Sequence, residues 1–191
     1  MSLLVESRVR ARAQRAITNF ANTANILNEH MEKQAAAAAH DIFLSHAYDD
    51  RELILGVALS IEDLGYSVYL DWRDDPSLDR KRVTPRTAEQ LRACLKSSRC
   101  LLYSTTQHSS ESKWMPWELG FKDAHNARAA ILPISGAATN NYSGQEYLGL
   151  YPYITEDPDT QGNRSLWVRR TPACYVRFNH WLGGSEPSEH A

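Results

Sequence analysis

The chain has 191 residues, with 21 Lys and Arg against 23 Asp and Glu, for a formal net charge of −2. That balance supplies no electrostatic case for nucleic acid or an acidic membrane surface as partner. Hydrophobic residues at 42% and charged residues at 23% exclude wholesale disorder and collagen-like or low-complexity chains, and the length suits one cored domain with an appendage.

Residues 3–34 read as one long helix, because Val9, Ala13, Ala16, Phe20, Ala24, Leu27 and Met31 recur at steps of three and four. Three of those seven positions are Ala, so the stripe is thin, and Arg8, Arg10, Arg12 and Arg15 crowd the end where the helix dipole disfavours them. The stripe fits either a helix packed on its own domain or a self-association arm.

Residues 40–47 (HDIFLSHA) form a first strand with the continuous apolar centre of a strand buried on both faces. Asp49 or Asp50 is placed to cap a helix whose stripe is Ile54, Val57, Ala58, Ile61 and Leu64, with Gly65 as its stop. Residues 66–72 (YSVYLDW) read as the second strand, and residues 73–84 as a charged loop. Thr84-Pro85 starts the next helix with a capping hydroxyl followed by Pro at the first helical position. A third strand, CLLYST from Cys100, a polar loop over 106–113, a helix over 114–124 and a fourth strand, AAILPI from Ala129, complete four strand–helix alternations. That alternation predicts an α/β fold with a parallel sheet wrapped by helices. Ligands of such sheets sit beyond the carboxyl ends of the strands, so the residues just after each strand are the informative ones.

After Ile134 the signal weakens. Residues 135–146 read as a Gly/Asn/Ser/Thr-rich loop, and 147–154, 165–168 and 174–181 as aromatic-rich strand or irregular cover. The expected organisation is an N-terminal helical extension over 1–39, a domain over 40–182 and a disordered tail over 183–191.

Several chemistries lack their motif. Gly56 and Gly65 are isolated, so no phosphate-cradling glycine loop is present, and there is no G-x-S-x-G elbow. The seven histidines show no metal-ligand spacing with the cysteines. Ser45 and His46 are adjacent on a strand and point to opposite faces, which argues against a nucleophile–base pair. The densest site is Trp114-Met115-Pro116-Trp117-Glu118, where Trp114 and Glu118, four apart, share a helix face. By spacing alone the preferred reading is a hydrophobic cap over the sheet with a first-turn Glu favoured by the dipole. Two aromatics beside one carboxylate also suit a planar ring and a sugar. Breaking an N-glycosidic bond to a cationic nicotinamide needs no general acid, because the leaving group departs neutral, and one carboxylate can stabilise the ribosyl cation.

Taken in order, the strand over 40–47, the charged loop after residues 66–72 and W-x-x-x-E at Trp114 to Glu118 resemble a bacterial TIR domain. The block over 83–134 is similar to the TIR proteins of prokaryotic immunity, including the TIR subunits of Thoeris antiphage defence. The resemblance covers about residues 40–135. It implies a flavodoxin-like sheet and NAD+ cleavage, with Glu118 matching the catalytic Glu. Trp114 matches the motif's aromatic, Trp117 a neighbouring position that is often aromatic, and Ser45, His46, Ala47 and Tyr48 the segment lining the NAD+ pocket. It further implies that the loop over 73–84 gates that pocket and contacts neighbouring subunits, and that assembly switches the enzyme on. NAD+ is then the substrate, with no separate cofactor and no metal. The product is open among ADP-ribose, a cyclic ADP-ribose isomer and an ADP-ribose conjugate.

No partnered effector domain is evident in the sequence, which favours an enzyme making a diffusible signal for a separate effector. An NAD-depleting hydrolase, a non-catalytic TIR adaptor and a nucleoside deoxyribosyltransferase are the competing readings. Three cysteines (Cys94, Cys100, Cys174) form neither an even framework nor a C-x-x-C pair. No apolar run approaches the ~18 residues of a membrane span, and Leu3 to Val5 is too short for a signal-peptide core. A reducing cytoplasm is the expected location.

Overall fold

The computed structural model describes residues 2–20, 39–74, 84–106, 108–137, 139, 142–144 and 146–190. The chain opens not with a helix but with a short strand, β1 (Leu4–Val5), and only then enters α1 (Glu6–Phe20). Residues 21–38, the second half of the long helix read from the sequence, lie outside the described residues. Val9 and Ala13 are buried, and α1 packs on α2 (Arg51–Glu62). Val9 and Ala13, the first part of the stripe, are therefore used within the domain.

The first strand of the domain core, β2 (Ile42–Ser45), alternates between two cores. Ile42 and Leu44 join the cluster beneath α1 and α2, and Phe43 and Ala47 join the opposite one. Asp50 precedes α2 but makes no side-chain cap. Its carboxylate instead accepts bonds from Thr106 and His108. Gly65 ends the turn after α2 with a φ of +89°, the conformation that glycine adopts at least cost.

The strand over 66–72 shrinks to β3 (Val68–Tyr69), followed at once by a helical turn, α3 (Asp71–Asp74). Asp74 explains the early ending: its Oδ2 accepts from the Leu70 N–H at 2.7 Å, and its own N–H returns to the Leu70 carbonyl at 2.7 Å. Residues 75–83, the body of the charged loop, lie outside the described residues. Helix α4 (Pro85–Ser97) begins as expected, with Thr84 accepting from the Thr87 N–H at 3.1 Å. Then come β4 (Cys100–Thr105), α5 (Trp114–Asn126) and β5 (Ala129–Ser135). Leu91 and Leu95 of α4 and Met115 and Leu119 of α5 fill the second core.

Beyond β5 a 3₁₀ segment, Glu146–Leu150, stands before β6 (Tyr153–Pro158). β7 (Arg164–Arg169) and β8 (Cys174–Arg177) continue antiparallel. α6 (Phe178–Leu182) turns Phe178 and Trp181 back under the first core. The tail is not disordered through His190. Its β9 (Ser188–Glu189) pairs with β8, Arg128 donates to the Gly184 carbonyl at 2.9 Å and to Glu186 at 2.5 Å, and His190 stacks on Tyr175 at 4.0 Å.

Among the described residues the sheet runs β3-β2-β4-β5-β6-β7-β8-β9, with β1 on β5. Pairing is parallel from β3 through β6 and antiparallel beyond. β6 meets β5 at Ile131, while β1 meets it further along, at Ile134 and Ser135. Ser2 bridges to Glu156, so the N-terminal segment fills the wedge where β5 and β6 diverge. No described helix is long and apolar enough to cross a membrane.

Candidate active site

Glu118 is carried by α5 on the face turned to the sheet and is fully buried at 0% exposure. The helix starts at Trp114, which places Glu118 beyond the first turn. The dipole therefore gives little reason for a carboxylate there. What holds it is Ser45, at the carboxyl end of β2, whose Oγ donates to Glu118 Oε2 at 2.6 Å. Ser45 is itself fixed, because Ser104 Oγ on β4 donates to the Ser45 carbonyl at 2.5 Å. Two adjacent parallel strands thus carry serines at or next to their carboxyl ends, one of which orients the carboxylate.

The residues read from the sequence around Glu118 separate into three groups. Ser45 and Ala47 lie on the α5 side of the sheet, Ser45 bonded to Glu118 and Ala47 packed in the same core. His46 is turned to the other side, as strand alternation requires. Its Nδ1 meets the Leu44 carbonyl at 2.8 Å, and its Nε2 lies 3.0 Å from the indole Nε1 of Trp72. An indole nitrogen only donates. Nε2 therefore accepts from the indole and Nδ1 faces the Leu44 carbonyl, with the Asp71 carboxylate 3.5 Å from Nε2. Tyr48 stands at the rim, 45% exposed, where Arg51 donates to its hydroxyl at 2.7 Å and lies over its ring.

Trp114 and Trp117 are half-buried and meet edge to face at 5.5 Å. Trp117 also stacks on Phe121 at 5.9 Å, and Phe121 on His125 at 6.3 Å, so the aromatic row continues down α5, away from its N-terminal end. Pro116 sits in the first turn, where its missing N–H costs no helical bond.

A cavity of about 470 Å³ opens at the carboxyl end of β4, lined by Tyr103, Thr105, Thr106, Pro116, Tyr142 and Tyr147 among others. It falls within the size range of small-molecule sites. Glu118, Ser45, Trp114 and Trp117 do not line it. Tyr103 links the two regions: burial chiefly raises its phenol well above the ordinary range, and the neighbouring Tyr147 and the charge of Glu118 add to this. Sequence reading missed these tyrosines. Tyr103 looks like any strand residue, and Tyr142 and Tyr147 lie in or beside a stretch whose composition signals only a loop. It also missed the Asp50–His108 pair at the same sheet end, with Nδ1 at 2.7 Å from Oδ1 and the imidazole raised first by that bond and then by the Asp50 charge. Among the described residues no group of three or more His, Cys, Asp or Glu is placed to hold a metal ion.

Two relatives resemble the chain. A Bacillus cereus (strain MSX-D12) protein, named a probable 3′ cyclic ADP-D-ribose synthase, ThsB′, is 41% identical over 160 residues, covering 83% of each chain. A Cytobacillus dafuensis protein, provisionally named a cyclic ADP-D-ribose synthase, TIR2, is 31% identical over 83 residues, 43% of this chain and 22% of its own. No family model matches the sequence.

Proposed function

The chain belongs to the Thoeris-type TIR family of these relatives, and from that premise we propose that it cleaves the nicotinamide–ribosyl bond of NAD+ and releases a cyclic ADP-ribose isomer as a signal in antiphage defence. The observation that carries the reading is the buried Glu118 carboxylate held by Ser45 at 2.6 Å beyond the carboxyl ends of β2 and β4. The C1″–N bond breaks with its electron pair leaving on nicotinamide, which departs neutral. The ribosyl carbon becomes cationic, and Glu118 is the negative group that stabilises it. A hydroxyl oxygen of the same molecule then attacks C1″ and sheds its proton, so NAD+ yields the cyclic product, nicotinamide and one proton. Water in place of that hydroxyl gives ADP-ribose, the hydrolase outcome. Exclusion of water decides between them.

Within this proposal NAD+ is a substrate, and neither a cofactor nor a metal is assigned. Trp114 and Trp117 supply aromatic surface on the same turns of α5 as the carboxylate, and the exposed Tyr48 follows the strand end that carries Ser45. Ser45 positions Glu118, and His46 braces the strand end from the opposite face. The product diffuses through the cytoplasm to a separate effector protein. Self-association runs through TIR surfaces; the α1 face bearing Val9 and Ala13 is already covered by α2.

Mass spectrometry of small molecules from cells expressing wild type or Glu118→Gln, with and without phage, tests the reading. An NAD-derived product one water lighter than ADP-ribose, absent in Glu118→Gln, is expected. ADP-ribose alone means hydrolysis, and intact NAD+ under every challenge means an adaptor.

A further inference from the structure

A second cleft, of about 260 Å³, lies on the other side of the sheet, between α1, the end of α2 and the edge formed by β6 and β7. Arg8, Arg12, Arg15 and Arg164 line it together with Asp63 and Glu156, so two positive charges are in excess. Arg12 grips Asp63 with two bonds of 2.7 and 2.9 Å. Arg8 and Arg164 must share the single Glu156 carboxylate, at 3.0 Å and at 3.0 and 2.7 Å. Among the described residues Arg15 forms no ion pair or hydrogen bond, although it is close enough to help lower the Asp63 carboxyl. These arginines also explain why α1 carries its positive charge at the dipole's unfavourable end.

We propose that this cleft binds a compact anion of the diphosphate class. Guanidinium forks match phosphate oxygens in pairs, and an excess of two positive charges favours a multiply charged anion. At about 260 Å³ the cleft is little more than half the size of the cavity at the β4 end, at about 470 Å³, which suits a compact anion. Its position matters for the larger cavity. Leu4 and Val5 line the cleft and pair with Ile134 and Ser135, from which the chain runs to Tyr142 and Tyr147 in the cavity wall. The Leu3 N–H also donates to the Thr139 carbonyl at 3.0 Å. An anion bridging α1 to β7 therefore stiffens the strand that anchors that wall.

Calorimetric titration of the full chain with inorganic pyrophosphate tests this. A single salt-sensitive site is expected, weakened about fivefold or more in Arg15→Gln and unchanged in Arg10→Gln, whose arginine pairs with Glu6 outside the cleft. Asp63→Asn removes a negative wall group and frees Arg12, so it tightens binding, a gain that misfolding cannot imitate. Titration with ADP identifies what is recognised: equal affinity assigns the diphosphate alone, and tighter binding assigns a nucleotide. Absence of binding at millimolar pyrophosphate, or affinity indifferent to both Arg15→Gln and Asp63→Asn, overturns the proposal.

Discussion

Ser45 and Glu118 lie 73 positions apart in sequence and meet through one hydrogen bond of 2.6 Å, the point where β2 and α5 are locked together. A hydrogen bond to a charged group contributes about 1.5–3 kcal/mol. Ser45→Ala is therefore expected to lower kcat for nicotinamide release roughly tenfold to a hundredfold. KM should stay near wild type, because the serine orients the carboxylate rather than the substrate. A rise in KM with unchanged kcat would place Ser45 on the substrate instead.

The crossing of α1 over α2 depends on Gly56. A Cβ there would lie 1.9 Å from the Val9 carbonyl oxygen and 2.6 Å from its carbon. On an exposed helix Gly→Ala gains about 1 kcal/mol. Here Gly56→Ala is expected to destabilise by about 1–3 kcal/mol, since backbone rather than a mobile side chain must yield. Urea denaturation followed by circular dichroism reads the sign directly.

For the same reason, deletion of residues 1–20 is expected to abolish cooperative unfolding rather than merely alter solution mass. It exposes the α2 surface against which Val9 and Ala13 are buried and strips β1 from β5. Light scattering and thermal melts on the truncated chain distinguish the two outcomes.

Lys122 is fully buried, and its ammonium donates to the Leu95 carbonyl at 2.8 Å and to the Ser98 carbonyl. It caps the C-terminal end of α4 from inside the protein, where a cation suits the dipole, while burial pulls its pKa below the ordinary lysine value. Lys122→Met keeps the volume but orphans the carbonyls. A loss of about 3 kcal/mol is expected, measured by denaturant midpoint.

The His108 imidazole is raised above its ordinary value by the bond to Asp50 and by that charge. Facing it are Asp50, Asp49 and Glu111. A raised folded-state value means that the pair's contribution is fully present below the unfolded histidine value, about 6.5, and is lost as pH rises through the folded one. The stability difference between wild type and His108→Gln is therefore expected to be largest in mild acid and to shrink toward alkaline pH. A difference independent of pH would mean that the imidazole is held for packing alone.

Sequence periodicity was enough for the parallel half of the sheet, because strands such as CLLYST and AAILPI are buried on both faces and announce themselves as apolar runs. Local chemistry located Thr84-Pro85 and Gly65 equally well. It failed where a side chain found a distant partner. Asp50 looks like a helix cap until Thr106 and His108 arrive from the β4 end. Residues 66–72 look like a full strand until Asp74 folds back on Leu70. Leu3 to Val5 look helical until β5 offers an edge. At the site, Glu118 and Ser45 were singled out by the family resemblance, since the spacing of Glu118 to Trp114 alone favoured a hydrophobic cap. The bond between them and the tyrosines of the neighbouring cavity are assembled by tertiary structure alone. The tail after Gly183 carries no periodic signal, and its order comes from Arg128, Tyr175 and the exposed edge of β8.

The pairing of β1 with β5 also sets a timetable for synthesis. Leu4 and Val5 are synthesised about 130 residues before Ile134 and Ser135, the backbone that receives them, and Ser2 still longer before its partner Glu156. Until β5 has emerged, this segment has no edge to join, and Leu3 and Leu4, destined for opposite cores, stay in water. Closure of these long-range contacts is entropically late.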